Sequence, residues 1–171
     1  MLEIYMERLR RGDISVLEFI YNETKNSVFA IALGIIRDYS LAEDIMQDTF
    51  IKVKKYIGQF KEGTSAKRWI NAIARNTSLN LYNRRKREAF AIDDSRLADC
   101  GIPDTLDGRG LFKTVFRILS HEESEIVIMH VLGGLKLSEI ADMLKKPRGT
   151  VRWQYNNALK KLRKKFEKEE L

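Results

Sequence analysis

Hydrophobic residues recur at helical spacing along nearly the whole of this 171-residue chain, which contains only two prolines and ten glycines. Apolar positions separated by three, four and seven residues are typical of amphipathic α-helices. Hydrophobic residues make up 44% of the sequence. That fraction is enough for one domain or for two small helical ones. The pattern predicts an all-α fold.

Positive charge is concentrated in two parts of the chain. The formal net charge is +7, and Lys and Arg cluster in "RRKR" (84–87) and in residues 145–168. Between these zones, residues 93–107 contain five aspartates and a single arginine. A basic balance points to a polyanionic partner, and two separated basic zones indicate two contact surfaces.

The residue inventory argues against metal, disulfide and membrane chemistry. Cys100 is the only cysteine, and the two histidines, His121 and His130, lack a matching cluster of ligands. The first 13 residues are charged throughout. No apolar run approaches the roughly 18 residues that a spanning helix requires. We therefore expect a cytoplasmic protein with no metal, no cofactor and no insertion into a membrane.

The N-terminal half reads as one small helical domain, residues 1–88, with three long helices. Asp13 is the expected cap of a helix that runs to about Ile36. The motif "SLAE" (40–43) matches a capping box and predicts that the second helix opens at Ser40, with Glu43 reaching back. After the loop "GQFKEGTSAK" (58–67), Ser65 is a possible cap for a third helix over about 66–87.

The C-terminal half, residues 111–171, reads as a second helical domain, joined to the first by a flexible acidic linker, residues 89–110. One helix is expected over 111–119. "SHEE" (120–123) matches another capping box, and a short helix over 137–144 is followed by a turn and a longer helix after Pro147. A short helix, a tight turn and a longer helix form a helix-turn-helix, whose second helix enters the DNA major groove.

The last helix has a polar face suited to DNA. Arg and Asn can pair with guanine and adenine edges, and Lys suits phosphates. The residues outside the apolar stripe, with Thr150 at the helix start, are Arg148, Arg152, Trp153, Asn156, Asn157 and Lys160. Tyr155 lies on the apolar stripe and is assigned to the core, whereas Trp153 is equally consistent with surface contact and partial packing. Because the stripe is needed to hold the domain together, a membrane-surface helix is disfavoured.

The third helix of the N-terminal domain predicts a second nucleic-acid surface. Amides and cations alternate outside its apolar stripe, at Lys67, Arg68, Asn71, Arg75, Asn76, Asn80 and Asn83. The preceding loop has the small residues Gly63, Thr64 and Ser65, which allow close approach of a nucleotide. The helix face that contains Asp44, Gln47 and Asp48 has negative charge instead, which favours a basic protein partner. An ordinary solvated helix face remains an alternative for both.

Two segments resemble conserved regions of one bacterial family. "LAEDIMQDTFIKVKKYIGQF" with "RWINAIARNTSLNLYNRRKR" resembles the second region of sigma factors of the extracytoplasmic-function (ECF) group. "LSHEESEIVIMHVLGGLKLSEIADMLKKPRGTVRWQYNNALKKLRK" resembles their fourth region. The resemblance covers about 13–88 and 111–166, in the order that the family has.

This resemblance implies a non-catalytic initiation factor whose partners are core RNA polymerase (β′ clamp and β flap), promoter DNA and an anti-sigma factor. It implies polymerase contacts at Asp44, Gln47 and Asp48; −10 contacts at Lys61, Gly63, Thr64, Ser65, Asn71, Arg75, Asn76 and Asn80; and −35 contacts at Arg148, Thr150, Arg152, Trp153, Asn156 and Lys160. Trp69 matches a structural tryptophan. Asn80 stands where the family commonly has Asp, and "RWQY" (152–155) is bulkier than usual, so promoter preference does not transfer.

Two other function classes account for less of the sequence. A stand-alone helix-turn-helix regulator explains residues 111–171 but not "LAEDIMQDTF" or the Trp-Asn-Arg helix. An enzyme acting on nucleic acid would need a cluster of carboxylates or histidines for metal binding or proton transfer, and the acidic residues here are dispersed.

Overall fold

The computed structural model describes residues 1–92 and 109–169, with side chains for 1–88 and 110–167. Every long element in these ranges is a helix, which confirms the all-α prediction: α1 (Leu2–Arg10), α2 (Leu17–Ile36), α3 (Tyr39–Tyr56), α4 (Ala66–Ile92), α5 (Arg109–Ile118), α6 (His121–Val131), α7 (Leu137–Leu144) and α8 (Arg148–Glu169). Short 3₁₀ turns span Ile14–Val16 and Ile57–Gln59. Most of the predicted acidic linker, residues 93–108, lies outside the described residues.

Helix α1 was not expected from the sequence, because charged residues surround its few apolar ones. Met6 and Leu9 are nevertheless buried. Arg8 Nη2 forms an ion pair with Asp13 Oδ2 at 2.7 Å, and Asp13 Oδ1 accepts from the Ser15 amide at 3.1 Å. Asp13 therefore caps the 3₁₀ turn that leads into α2. Helix α2 itself begins at Leu17 without a side-chain cap, so the long helix starts later than predicted.

The predicted capping box at Ser40 and Glu43 is wrong. Helix α3 begins at Tyr39, and the Asp38 carboxylate accepts from the Leu41 amide at 3.0 Å. A carboxylate placed before the first turn satisfies the exposed amide, so Ser40 lies one residue inside the helix and faces solvent.

Helix α2 lies at the centre of the molecule. All of residues 30–36 are buried, because α3 and α4 pack on one side and α6 packs on the other. Ile126 and Met129 of α6 share one hydrophobic core with Ile31, Ile35 and Ile70 of the N-terminal domain. The two helical domains are thus packed together through a common core.

Two glycines permit this close packing. A Cβ at Gly34 would lie 3.2 Å from Glu125 Cα, and one at Gly133 would lie 2.9 Å from the Ala30 Cβ. Contacts this short lie below ordinary van der Waals distances. Helices α2 and α6 can approach this closely because the two positions lack side chains.

Polar contacts reinforce the α2–α6 packing. Arg37, which ends α2 in a left-handed conformation, donates through Nη2 to Ser124 Oγ at 2.7 Å. His121 Nε2 lies 3.1 Å from the Ile35 carbonyl oxygen. Burial, with the nearby Arg37 guanidinium, lowers the pKa of His121 below its usual value, so the neutral ring is favoured.

The C-terminal domain follows the predicted order. The Ser120–Glu123 capping box is present at the start of α6, and α7 has the predicted bounds. Val151 and Ala158 are buried and seat α8 on α6 and α7. The arrangement of α7, turn and α8 is a helix-turn-helix.

Candidate polymerase and nucleic-acid interfaces

The polar face of α8 is open to solvent. Four residues repeat at intervals of four along one side of the helix and are all exposed: Arg148, Arg152, Asn156 and Lys160. Trp153 is 66% exposed, which settles its assignment in favour of the surface. Thr150, at the start of the helix, is exposed too. A helix with guanidinium, amide and indole groups on one free face can reach base edges in a groove.

The opposite side of α8 is fixed by packing and by a buried carboxylate. Tyr155 is half-buried and meets the His130 ring edge-on, with centroids 4.9 Å apart, as its place on the apolar stripe predicted. Glu123 is buried and accepts from Asn157 Nδ2 at 2.9 Å and from Lys161 Nζ at 2.8 Å. Burial disfavours the ionised carboxylate, but these hydrogen bonds outweigh it and lower the pKa of Glu123. Asn157 and Lys161 thus orient α8.

The turn before α8 holds a lysine in a backbone conformation that usually favours glycine. Lys145 has φ 54° and ψ 40°, and the Lys146 amide donates to the Ala141 carbonyl at 3.0 Å. The turn therefore has the geometry of a left-handed helix cap, although the sequence lacks the expected glycine. Pro147 directly precedes α8, and its carbonyl accepts from the Val151 amide at 3.2 Å.

The candidate face of α4 is divided between exposed and covered residues. Arg68, Asn76 and Asn80 are exposed at intervals of four or eight along the helix. Asn71, however, is only 2% exposed, and its Oδ1 accepts from Ser27 Oγ at 3.0 Å. The expectation that Asn71 lies outside the apolar stripe is wrong, because α2 packs over that part of α4 and supplies a buried hydroxyl for the amide.

Arg75 lies between the two halves of the molecule. Its Nε is buried and has no hydrogen-bond partner within the part of the chain that the structure describes. It lines a groove of about 310 Å³ between α4 and α7, whose other wall contains Glu139 and Asp142. Cations expected to meet DNA thus face carboxylates of the same chain.

The loop before α4 is exposed and locally ordered. Gly63 has φ +79°, a conformation that side chains rarely adopt. Thr64 Oγ1 donates to the Lys61 carbonyl at 2.6 Å, and Ser65 Oγ accepts from the Arg68 amide at 3.3 Å, as expected of a cap. Trp69 packs edge-on against Phe60, with centroids 5.6 Å apart, consistent with a structural role.

The acidic face of α3 borders α4, because Asp44 and Asp48 line one groove together with Asn80 and Arg84. Asp44 and Gln47 are exposed, while Asp48 is half-buried beside Lys52, whose Nζ lies 2.7 Å from Asp48 Oδ2. Lys52 Nζ also donates to Thr77 Oγ1 of α4 at 3.1 Å. Among the described residues Asp44 has no such partner, which leaves its carboxylate available to another molecule. Exposed Ile51 follows on the same side of α3, a position that sequence reasoning did not select.

The described ranges contain neither a metal site nor a membrane-spanning helix. No group of three or more His, Cys, Asp or Glu residues there could hold a metal ion. Among the helices described, none combines the length and apolar character needed to cross a bilayer.

Comparison with family models accounts for both halves of the chain. Residues 20–88 match the model for Sigma-70 region 2, and residues 115–164 match the model for Sigma-70, region 4. The matched segments contain α3 and most of α4 in the first case, and α7 with most of α8 in the second. The chain belongs to the sigma-70 family.

Individual relatives agree over nearly their whole length. The RNA polymerase sigma factor CarQ of Myxococcus xanthus is 26% identical over 162 residues, which cover 92% of this chain and 93% of CarQ. The ECF RNA polymerase sigma factor SigW of Bacillus subtilis is 21% identical over 179 residues and covers 96% of each chain.

Two solved structures share the fold of this sigma factor. One is RpoE in complex with the anti-sigma factor NepR from Bartonella quintana, with a TM-score of 0.69, 20% identity and coverage of 88% of this chain and 96% of RpoE. The other is CnrH in complex with the cytosolic domain of CnrY, with a TM-score of 0.69, 16% identity and coverage of 96% of each chain.

Proposed function

We propose that the chain is a promoter-specificity subunit that binds core RNA polymerase and directs it to promoters with matching −10 and −35 elements. The observation that carries this function is the match of two sigma-70 regions, in order, to segments that fold into two separate basic faces. A regulator with a single DNA-reading domain would leave the α3 and α4 faces without a role. The residue assignments that follow are proposals of the same kind.

The acidic face of α3 is assigned to polymerase. Asp44, Gln47 and Asp48 would meet the β′ clamp, and the exposed Ile51 would add an apolar contact beside them. Charged groups around an apolar residue are a common arrangement at protein interfaces, where charge directs encounter and apolar burial supplies affinity. Region 4 would in the same way meet the β flap.

The loop before α4 and the open part of α4 are assigned to the −10 element. The residues are Lys61, Gly63, Thr64, Ser65, Arg75, Asn76 and Asn80. Asn71 is withdrawn from this set because its amide is buried against Ser27. The remaining exposed amides suit the edges of bases that have left the duplex, and the loop glycine permits close approach of the strand.

The exposed face of α8 is assigned to the −35 element as duplex DNA. Arg152 and Asn156 would read base edges, Trp153 would make an apolar contact, and Arg148, Thr150 and Lys160 would meet the phosphate backbone. The division follows from side-chain chemistry, since guanidinium and amide groups form paired hydrogen bonds with bases, whereas ammonium groups act as point charges.

Two further properties follow from this function. The chain itself would catalyse no reaction, because polymerase supplies the chemistry, and it would act in the cytoplasm, where polymerase transcribes. RpoE has been solved in complex with the anti-sigma factor NepR, and CnrH in complex with the cytosolic domain of CnrY. We expect an anti-sigma protein to hold this chain in the same manner.

The test is association with core polymerase followed by run-off transcription from a library of promoters. We expect the full chain to co-purify with core enzyme and to enrich a single class of promoter with conserved −10 and −35 positions. Tight binding to duplex DNA without any association with polymerase would overturn the proposal and would favour a stand-alone helix-turn-helix regulator.

A further inference from the structure

The first turn of α6 holds the side of α8 that packs against it. The Glu123 side chain is buried, and its carboxylate accepts from the Ser120 amide at 3.1 Å and from Asn157 Nδ2 at 2.9 Å. Lys161 Nζ donates to both of its oxygens, at 2.8 and 2.9 Å. An ionised carboxylate offers about four acceptor sites. The carboxylate of Glu123 is therefore fully used, by one donor of its own helix cap and by two side chains of α8.

The adjacent Glu122 extends this contact to the turn before α8. Its Oε2 accepts from Gln154 Nε2 of α8 at 2.8 Å and forms an ion pair with Lys146 Nζ, also at 2.8 Å. Because the Glu122 side chain is 58% exposed, water weakens this pair more than it weakens the buried contacts of Glu123. Two neighbouring carboxylates of α6 thus bind both α8 and the turn that leads into it.

The side chains held by these carboxylates form a stripe along α8. Gln154, Asn157 and Lys161 are separated by three and four residues, so they lie on one side of the helix. Consecutive residues are about 100° apart around a helix axis. The held stripe is therefore offset by about that angle from the residues that directly precede it, which are all candidate DNA contacts: Trp153, Asn156 and Lys160.

Apolar packing by itself would leave the rotation of α8 loosely defined. Ala158 and Tyr155 pack with apolar residues of α5 and α6, but hydrophobic burial has little directional preference. Hydrogen bonds, by contrast, weaken steeply when their angles change. A rotation of about 10° would move a group about 6 Å from the helix axis by about 1 Å. Such a shift is enough to break a paired hydrogen bond with a base.

We propose that Glu122 and Glu123 form an acidic anchor that sets the rotational position of α8 and thereby its preference among −35 sequences. They are positioning residues, which act on DNA through Arg152 and Asn156 and do not touch it. The inference rests on the proposed function, since it presumes that α8 reads the −35 element. Asn157, although it lies outside the apolar stripe beside Asn156, then belongs to the anchor contact and is not a DNA contact.

The test replaces the carboxylate of Glu123 by an amide of nearly the same size. In Glu123→Gln the remaining oxygen can still accept from the Ser120 amide, but the new NH₂ group would face the donors of Asn157 and Lys161. The measurement is binding of the polymerase complex to duplexes that differ only in the −35 element. We expect the ratio of affinities for the preferred element and its single-base variants to fall about 10-fold, within the discrimination that one paired contact provides.

Exchanging the amide and the carboxylate across the contact should restore the preference. Glu123→Gln combined with Asn157→Asp again matches a donor on one helix with an acceptor on the other, and Asp at 157 lies one turn from Lys161. The net charge of this double variant equals that of the wild-type chain. We expect its preference ratio to return to within about twofold of the wild-type value. If Asn157 contacted DNA, the new carboxylate would instead repel phosphates and weaken binding further.

Two more variants keep the test decisive. Glu167→Gln makes the same change in charge at an exposed position of the same domain and should leave the preference ratio unchanged. Asn157→Ala removes one hydrogen bond but keeps the pair of Glu123 with Lys161, so it should fold even if Glu123→Gln does not. We expect Asn157→Ala to lower the preference ratio about threefold, in line with the loss of one hydrogen bond.

The outcomes separate the anchor from the function. An unchanged preference ratio in a folded Glu123→Gln chain, or in Asn157→Ala, would overturn the anchor, even if affinity fell equally for every −35 sequence. An exchanged double variant that binds polymerase without recovering the preference would overturn it too. If the wild-type and Glu167→Gln chains bound no polymerase, or showed no −35 preference in its complex, the proposed function itself would be refuted.

Discussion

Helices α4 and α8 have similar compositions but different surroundings. Both are long and place Arg and Asn at intervals of four outside an apolar stripe. Every candidate residue on α8 is exposed, whereas on α4 Asn71 is buried and Arg75 is half-buried beside the carboxylates of α7. The same sequence pattern thus gives one free surface and one that is partly covered.

The difference shows that helical spacing defines the faces of a helix but not which neighbour covers them. Helix α8 is the last element, and only one of its sides has α5, α6 and α7 to pack against. Helix α4 is packed on α2 and α3 and then approached by α7 from the other domain. Residue type alone therefore predicts which candidate DNA-contacting residues are exposed poorly on α4 and well on α8.

The largest expected effect concerns the acidic face of α3, which we assign to polymerase and not to DNA. Asp44→Arg reverses an exposed charge that has no ion pair in the described structure. We expect about 100-fold weaker binding to core polymerase, because like charges would meet at the interface. Affinity measured by fluorescence anisotropy is the readout, with Glu23→Arg, at an exposed position of α2, as the control. Unchanged affinity would remove Asp44 from the polymerase site.

A pair of asparagine variants sharpens the division within α4. Asn71→Ala removes the acceptor of the Ser27 hydroxyl in a buried position, and we expect it to lower the free energy of unfolding by about 1–3 kcal/mol. Asn76→Ala, on the exposed face, should change stability by less than about 0.5 kcal/mol and weaken −10 binding instead. Chemical denaturation of both variants checks this, and equal stability losses would contradict it.

A second pair of variants tests whether the exposed face of α8 recognises the base sequence of the −35 element. Arg152→Ala should cost about 1–3 kcal/mol on the preferred −35 sequence and relax the preference at one base pair. Lys160→Ala should weaken binding evenly across sequences and reduce its salt dependence. Binding by the polymerase complex to a set of −35 variants would distinguish the two. A uniform loss for Arg152→Ala would make Arg152 a phosphate contact.

The smallest expected effect concerns Glu125 of α6, which lies against Gly34 of α2. Because the packed state raises the pKa of Glu125, its ionised form opposes packing above that pKa, and the opposition fades as pH falls through it. Glu125→Gln should therefore raise the melting temperature of the free chain at pH 7. Its advantage over the wild-type chain should shrink on acidification. A lower melting temperature at pH 7 would show that the attraction to Arg75, Arg37 and Lys146 outweighs the cost of burial.

Much of the local structure follows from the sequence by itself. The Ser120–Glu123 box, the bounds of α7, the cap at Ser65 and the core position of Tyr155 all depend on residues close together in the chain. Caps and apolar periodicity act over one or two turns, so they are readable without knowledge of the fold. The start of α3 was misplaced because two competing caps, Asp38 and Ser40, lie within that range.

Only the tertiary structure decided which polar groups are buried and which surfaces are covered. Asn71 looked like a contact residue until Ser27 was seen to pair with it, and Glu125 had no evident role until α6 packed on α2. Residues 30–36 of α2 are all buried, although apolar residues at helical spacing are typical of a helix with one buried face. The spacing of apolar residues along one helix indicates that the helix has an apolar side. Whether its other sides are buried depends on helices that are distant in sequence.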